Sequence, residues 1–248
     1  MSNIDTLREQ AENYYSNGDF RNALTAIEKA IQIEPDDASL YCKRGLCWLN
    51  QGITDLAYRD FNEAICRCQS PDPDWLIHRG TAANALGERL IFFAKKYFRQ
   101  AITDFEMACR LKPRDSVCHH GLGYSRHNLA KRSWWRQTGF CQAIQHYTDA
   151  LLFDPENAMI YVHRADAYLR LKEYEQVIAD CTEAIRRDAS NIAAFTLRME
   201  AYTNTGQIPE AYQDKVQIAK LHEECHARCE AKKPLHERVE RKKDIIPY

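Results

Sequence analysis

The chain has 248 residues, 45% of them hydrophobic and 28% charged, with a formal net charge of −1. That composition supplies a substantial core and disfavours a general nucleic-acid or membrane-surface binder, which would carry a basic excess. Nine glycines and eight prolines are too few for a turn-rich β-sandwich.

The first residues, "MSNIDTLREQ", are polar and lack the apolar core of a signal peptide. No apolar run is long enough to span a bilayer. Ten cysteines scattered through helical patterns therefore predict reduced, mostly buried thiols in a cytoplasmic protein rather than a disulfide framework.

Along the chain one pattern returns at a spacing near 34 residues. A first helix carries in turn "QAENYY", "RGLCW", "RGTAA", "HGLGY" and "RADAY". A second helix then ends in "EKAIQIEP" (28–35), "NEAICRC" (62–68), "EMACRLKP" (106–113), "TDALLFDP" (148–155) and "TEAIRRDA" (182–189). Seven residues before each shared alanine stands another small residue: Ala23, Ala57, Ala101, Ala143 and Val177. A degenerate sixth copy, "RMEAY…GQIPEAY", covers 192–225. The eighth position of the copies holds Ala11, Gly45, Gly80, Gly121, Ala165 and Met199, followed one helical turn later by Tyr14, Trp48, Ala83, Tyr124, Tyr168 and Tyr202. Small beside large lets two helices pack closely without voids.

These residues resemble the tetratricopeptide repeat (TPR), a helix–turn–helix of 34 residues with small residues where helices touch. The resemblance implies an all-α, right-handed superhelical solenoid, since no single hairpin buries its apolar face alone. Six repeats are predicted at about 4–37, 38–72, 73–113, 114–157, 158–191 and 192–225, with 227–248 as the end of a capping helix and a charged tail. Leu235, Val239 and Ile246 could anchor that tail, and a frayed end is the alternative.

Two inserts individualise the chain. Gly80 to Ala101 is nine residues longer than Gly45 to Ala57, and Gly121 to Ala143 is ten longer. Both fall between the helices of adjacent hairpins, in "ERLIFFAKKYF" (88–98) and "NLAKRSWWRQ" (128–137), which are helix-compatible and expected to emerge on one edge, with extension of both first helices as one arrangement. Phe92 and Phe93 would then lie level with Trp134 and Trp135. The expected arrangement is a satellite cluster of rings; the alternative is an exposed aromatic protrusion that docks a partner.

"HEECH" (222–226) matches the H-E-x-x-H zinc signature, with His222 and His226 on one helical face. Third ligands are poor, since His236 and Glu240 lie in the polar tail beyond Pro234. Ile218, Leu221, Cys225 and Cys229 instead form an apolar stripe, which suits a terminal helix. A metal held by His222, Cys225, His226 and Cys229 is the alternative reading. Arg44 and Asp60, Arg164 and Asp180, and Arg198 and Asp214 are each sixteen apart, and Arg79 and Asp104 twenty-five apart across the insert. Recurrence in four of the six repeats marks a packing device rather than an active site. No catalytic residue, metal or cofactor is expected.

By the resemblance, first helices line an inner groove. The groove residues implied are Arg8, Glu12, Lys43, Asn50, His78, Asn84, His119, Arg126, His163, Asp166 and Arg170. Their mixed charge suits an extended peptide or a helix, and His78, His119 and His163 could form a pH-sensitive ladder. Co-chaperone TPR domains grip an acidic C-terminus with a five-residue basic clamp. The matching residues here are Arg8, Glu12, Lys43, Asp74 and His78, of which Glu12 and Asp74 would repel such a peptide. "KRSWWR" (131–136) interleaves basic and aromatic residues as single-stranded nucleic-acid binders do, but the neutral chain makes RNA a minor alternative. The expected function is a non-enzymatic scaffold or adaptor for other proteins, with no membrane association and with homo-oligomerisation open. The alternatives are a co-chaperone adaptor with a non-standard groove and an RNA-associated TPR protein.

Overall fold

A computed structural model describes residues 3–134 and 136–232. Trp135 and the tail, including Leu235, His236, Val239, Glu240 and Ile246, lie outside the described residues. Among the described residues the chain forms twelve α-helices and one short 3-10 turn, with no strand. The chain divides into two units, residues 1–155 and 156–248.

The first unit contains four helical hairpins: α1 (Asn3–Ser16) with α2 (Phe20–Ile33), α3 (Ala38–Asn50) with α4 (Thr54–Cys66), α5 (Pro73–Arg89) with α6 (Ala94–Leu111), and α7 (Ser116–Ala130) with α8 (Arg136–Phe153). The second contains two: α9 (Ala158–Leu171) with α10 (Tyr174–Arg187), and α11 (Ile192–Asn204) with α12 (Ile208–Lys232).

Local chemistry punctuates each hairpin. Asp37, Asp72, Asp115, Asn157 and Asn191 precede the first helices α3, α5, α7, α9 and α11. Each accepts a hydrogen bond from a backbone N–H of the first turn, an N-cap worth about 1 kcal/mol. Pro35, Pro113 and Pro155 stand two residues beyond the ends of α2, α6 and α8, where no helical N–H is needed. In the four hairpins without an insert, one residue between the helices adopts a left-handed backbone. It is Gly18, Gly52 and Gly206, with φ of 75–77°, and Lys172 at φ 63°.

Packing follows the repeated small residues. Ala23, Ala57, Ala101, Ala143 and Val177 are fully buried, as are Ala64, Ala108, Ala150 and Ala184. Where the eighth position is glycine, a ring fills the space: a Cβ on Gly45 would lie 2.8 Å from the Phe61 ring, and one on Gly80 2.9 Å from Phe105. Where it is alanine, the matching core residue is smaller, Ile27 beside Ala11 and Cys181 beside Ala165. Core clusters run from hairpin to hairpin within each unit.

The arginine–aspartate series is a set of two-pronged clamps. Arg44, Arg79, Arg164 and Arg198 each donate through Nε and Nη2 to both carboxylate oxygens of Asp60, Asp104, Asp180 and Asp214, at 2.6–3.0 Å. All four carboxylates are buried. Each clamp ties the two helices of one hairpin together.

Three expectations need correction. The inserts lengthen both helices rather than the first alone: α5 and α6 have 17 and 18 residues and α7 and α8 have 15 and 18, against 13 each in α3 and α4. Two paired helices that grow together keep burying each other's new apolar face, whereas one growing alone would expose it. The thiols are not mostly buried: Cys42, Cys47, Cys118 and Cys181 are, but Cys66, Cys141, Cys225 and Cys229 are exposed, and all ten are unbridged. The apolar stripe on the terminal helix is likewise uncovered at Cys225 and Cys229, because α12 continues for 25 residues beside the shorter α11.

Candidate protein-interaction surfaces

The first surface is the pair of hairpin tips built by the inserts. α5 stops at Arg89, residues 91–93 form a 3-10 turn, and α6 restarts at Ala94. Ile91, Phe92 and Phe93 sit on this bend and are 74%, 98% and 60% exposed. In the fourth hairpin Trp134 lies in the turn after α7 and is 99% exposed. The expected satellite cluster is therefore overturned for Phe92, Phe93 and Trp134. The physical reason is that the interior between the lengthened helices is already filled. Leu86, Ala94, Phe98 and Phe140 are buried there, and Gly87 lets the Phe98 ring approach so closely that a Cβ would sit 2.9 Å away. The two tips are joined by Arg132 over the Phe98 ring at 5.1 Å and by a hydrogen bond from the Tyr124 hydroxyl to Glu88.

The second surface is formed by the first helices of the first unit, α1, α3, α5 and α7. Arg8 is bound by Glu34 and Asp37, each at 2.6 Å, and Lys43 by Glu12 at 2.8 Å. Asp74 pairs with Lys112 at 2.5 Å. Asn50 donates to the Tyr15 hydroxyl at 3.0 Å; in the second unit, on α9, Arg170 donates to Asp166 at 3.1 Å. Arg126 reaches Glu106 at 2.5 Å and Gln142 at 2.9 Å. Exposed pairs of this kind exchange readily, since each contributes about 0–1 kcal/mol. A cleft of about 140 Å³ opens here, lined by Ala11, Glu12, Tyr15, Ile27, Lys43, Leu46 and Cys47.

One groove residue is removed. Asn84 is buried and accepts from the buried Ser125 hydroxyl at 2.8 Å, so it joins α5 to α7 instead of facing a ligand. His78 stacks on Phe61 at 5.5 Å, and burial pushes its pKa down, favouring the neutral ring. That works against a physiological switch at this rung of the histidine ladder. His119 lies half-buried on α7 and His163 half-buried on α9 of the second unit. Ile91 completes the exposed apolar tip although sequence reasoning did not single it out; its place next to two phenylalanines was the available signal.

The "HEECH" histidines, His222 and His226, are exposed on α12 with Cys225 and Cys229. Among the described residues no group of three potential ligands forms around them.

A family model for a TPR repeat matches residues 11–52, and one described as tetratricopeptide repeat matches residues 132–192. The chain is 26% identical over 211 residues to human "DnaJ homolog subfamily C member 7", covering 82% of this chain and 41% of that protein. It is 22% identical over 208 residues to "Hsp70-Hsp90 organizing protein" of Triticum aestivum, covering 76% of this chain and 36% of that protein. The chain thus spans about two fifths of the length of these curated relatives. A solved structure, YrrB, described as "a TPR protein with an unusual peptide-binding site", superposes with a TM-score of 0.60 at 17% identity, over 75% of this chain and 87% of that one. No helix among the described residues is long and apolar enough to cross a membrane. The small-residue register, the paired helices and the family matches agree: the chain contains tetratricopeptide repeats and has an all-α TPR solenoid fold.

Proposed function

We propose that the chain is a non-enzymatic adaptor that holds a partner protein through two surfaces. An extended peptide or a helix lies along the first helices of the first unit, and the apolar tips of the third and fourth hairpins engage the same or a second partner. The observation that carries this reading is the full exposure of Phe92 and Trp134 on adjacent tips, flanked by Ile91 and Phe93. Four large apolar side chains held in water cost solubility and contribute nothing to the core, which is the profile of a docking site.

Affinity capture with wild-type chain and with a Phe92→Ser/Trp134→Ser variant tests the tips. Selective loss of partners from the variant is expected, and an identical partner set would remove the tips from the account. The substitutions lie outside the core, so unfolding does not complicate the comparison.

A co-chaperone adaptor is the second reading, favoured by the similarity to "Hsp70-Hsp90 organizing protein". Against a standard clamp stand Glu12 and Asp74, and the engagement of Arg8 by two carboxylates. An acidic C-terminal peptide titrated onto the chain should bind weaker than micromolar. Micromolar affinity that falls on Lys43→Glu would instead support the chaperone reading.

A further inference from the structure

The fourth hairpin lacks the arginine–aspartate clamp of its neighbours. The two positions that hold Arg79 and Asp104 in the third hairpin hold His120 and His146 in the fourth. Between α7 and α8 three metal-ligating side chains gather instead.

His146, on α8, has a buried Nδ1 with no hydrogen-bond partner, and Asp149 Oδ2 lies 4.0 Å from it, one turn further along the helix. His119 on α7 supplies the third group, and ligand atoms of all three lie within 4.8 Å of one another. The tautomer of His119 follows from its neighbour. Its Nε2 is 3.0 Å from the Pro113 carbonyl oxygen, which can only accept, so Nε2 carries the proton. Nδ1 is left with its lone pair, buried and without a partner. A backbone carbonyl fixing the far ring nitrogen is the usual outer-shell support of a metal-bound histidine. Gln145 donates to Asp149 Oδ1 at 2.9 Å, which orients the carboxylate and leaves Oδ2 available. Arg126, the cation that acts on His146, is already engaged by Glu106 and Gln142.

We propose that His119, His146 and Asp149 bind one divalent cation of the zinc(II) class, bridging α7 and α8 where the neighbouring hairpins use an ion pair. Two imidazole nitrogens and one carboxylate oxygen suit zinc, whereas magnesium and calcium prefer all-oxygen sets. Bonds of about 2.0–2.2 Å place tetrahedral ligands ~3.4 Å apart, so the three side chains close in by roughly 1 Å on binding. The fourth position stays open to water. The site departs from the sequence-based expectation of no metal, and it is distinct from the histidines of α12.

Untagged, chelator-stripped full-length chain titrated with zinc chloride tests this. Expected are one zinc per chain, no response to magnesium, and a rise in Tm of several degrees at saturating zinc. Affinity should fall at least tenfold in His146→Ala and in Asp149→Asn, with helical circular dichroism unchanged. The polar Asp149→Asn change keeps the test valid should His146→Ala fold poorly. Cobalt(II) loading should give visible bands without the thiolate charge-transfer band that a cysteine site shows. Absence of stoichiometric zinc overturns the proposal. So does zinc binding that survives these variants but is lost in His222→Ala/His226→Ala.

Discussion

Phe105 is held between two glycines: a Cβ on Gly80 would meet its ring at 2.9 Å, and one on Gly121 at 2.4 Å. The ring is buried on all sides, so it cannot move aside. Gly121→Ala is expected to destabilise the chain by about 1–3 kcal/mol through overpacking, measurable as a lower urea midpoint at unchanged m-value. Lys172 offers the opposite case. It adopts φ 63°, where its three counterparts are glycine, so Lys172→Gly should stabilise by about 0.5–1 kcal/mol, read as a rise in Tm. Burial pushes the pKa of His120 down to about 4. A histidine depressed in the folded state stabilises above its unfolded pKa of about 6.5, and that contribution is lost as pH falls through about 4. His78 and His146 are shifted the same way by burial. Stability should therefore drop between about pH 6.5 and pH 4, by roughly 3 kcal/mol for His120 alone. Urea midpoints across that range check it, with a flatter profile expected for His120→Gln.

Among elements, the clamps show what the sequence made legible. A spacing of sixteen, stretched to twenty-five by an insert of nine, predicted that Arg79 and Asp104 meet, and they do at 2.6 and 3.0 Å. Register survives an insert because the helices stay paired on either side of it. Removing one partner should cost far more than removing both. Asp104→Ala, which leaves the Arg79 guanidinium with Asn62 alone, is expected to destabilise by about 3–5 kcal/mol. Arg79→Met/Asp104→Leu should lie within about 1 kcal/mol of wild type by chemical denaturation. The fate of the inserts was less legible. Periodicity located them between helices, but the bend at Leu90 and the exposure of Phe92 depend on Phe98 and Phe140 having already filled the interior. That is a tertiary fact with no local signal. Asn84 shows the same limit, since its inward turn is set by Ser125 forty-one residues away.

For the whole molecule, small residues at a regular interval sufficed to identify the repeat architecture, because every hairpin must be narrow at the same places to stack. The surface that meets a partner carries no such constraint, and groove positions assigned by analogy proved partly self-paired. The tips of the third and fourth hairpins concentrate the unsatisfied apolar area, and they are where the account places docking. Site-specific photo-crosslinking addresses that directly, with the probe at position 92, at position 134, or at the exposed control position 210. The account predicts a discrete crosslinked partner from positions 92 and 134 and none from 210. Equal, diffuse labelling from all three positions would contradict it.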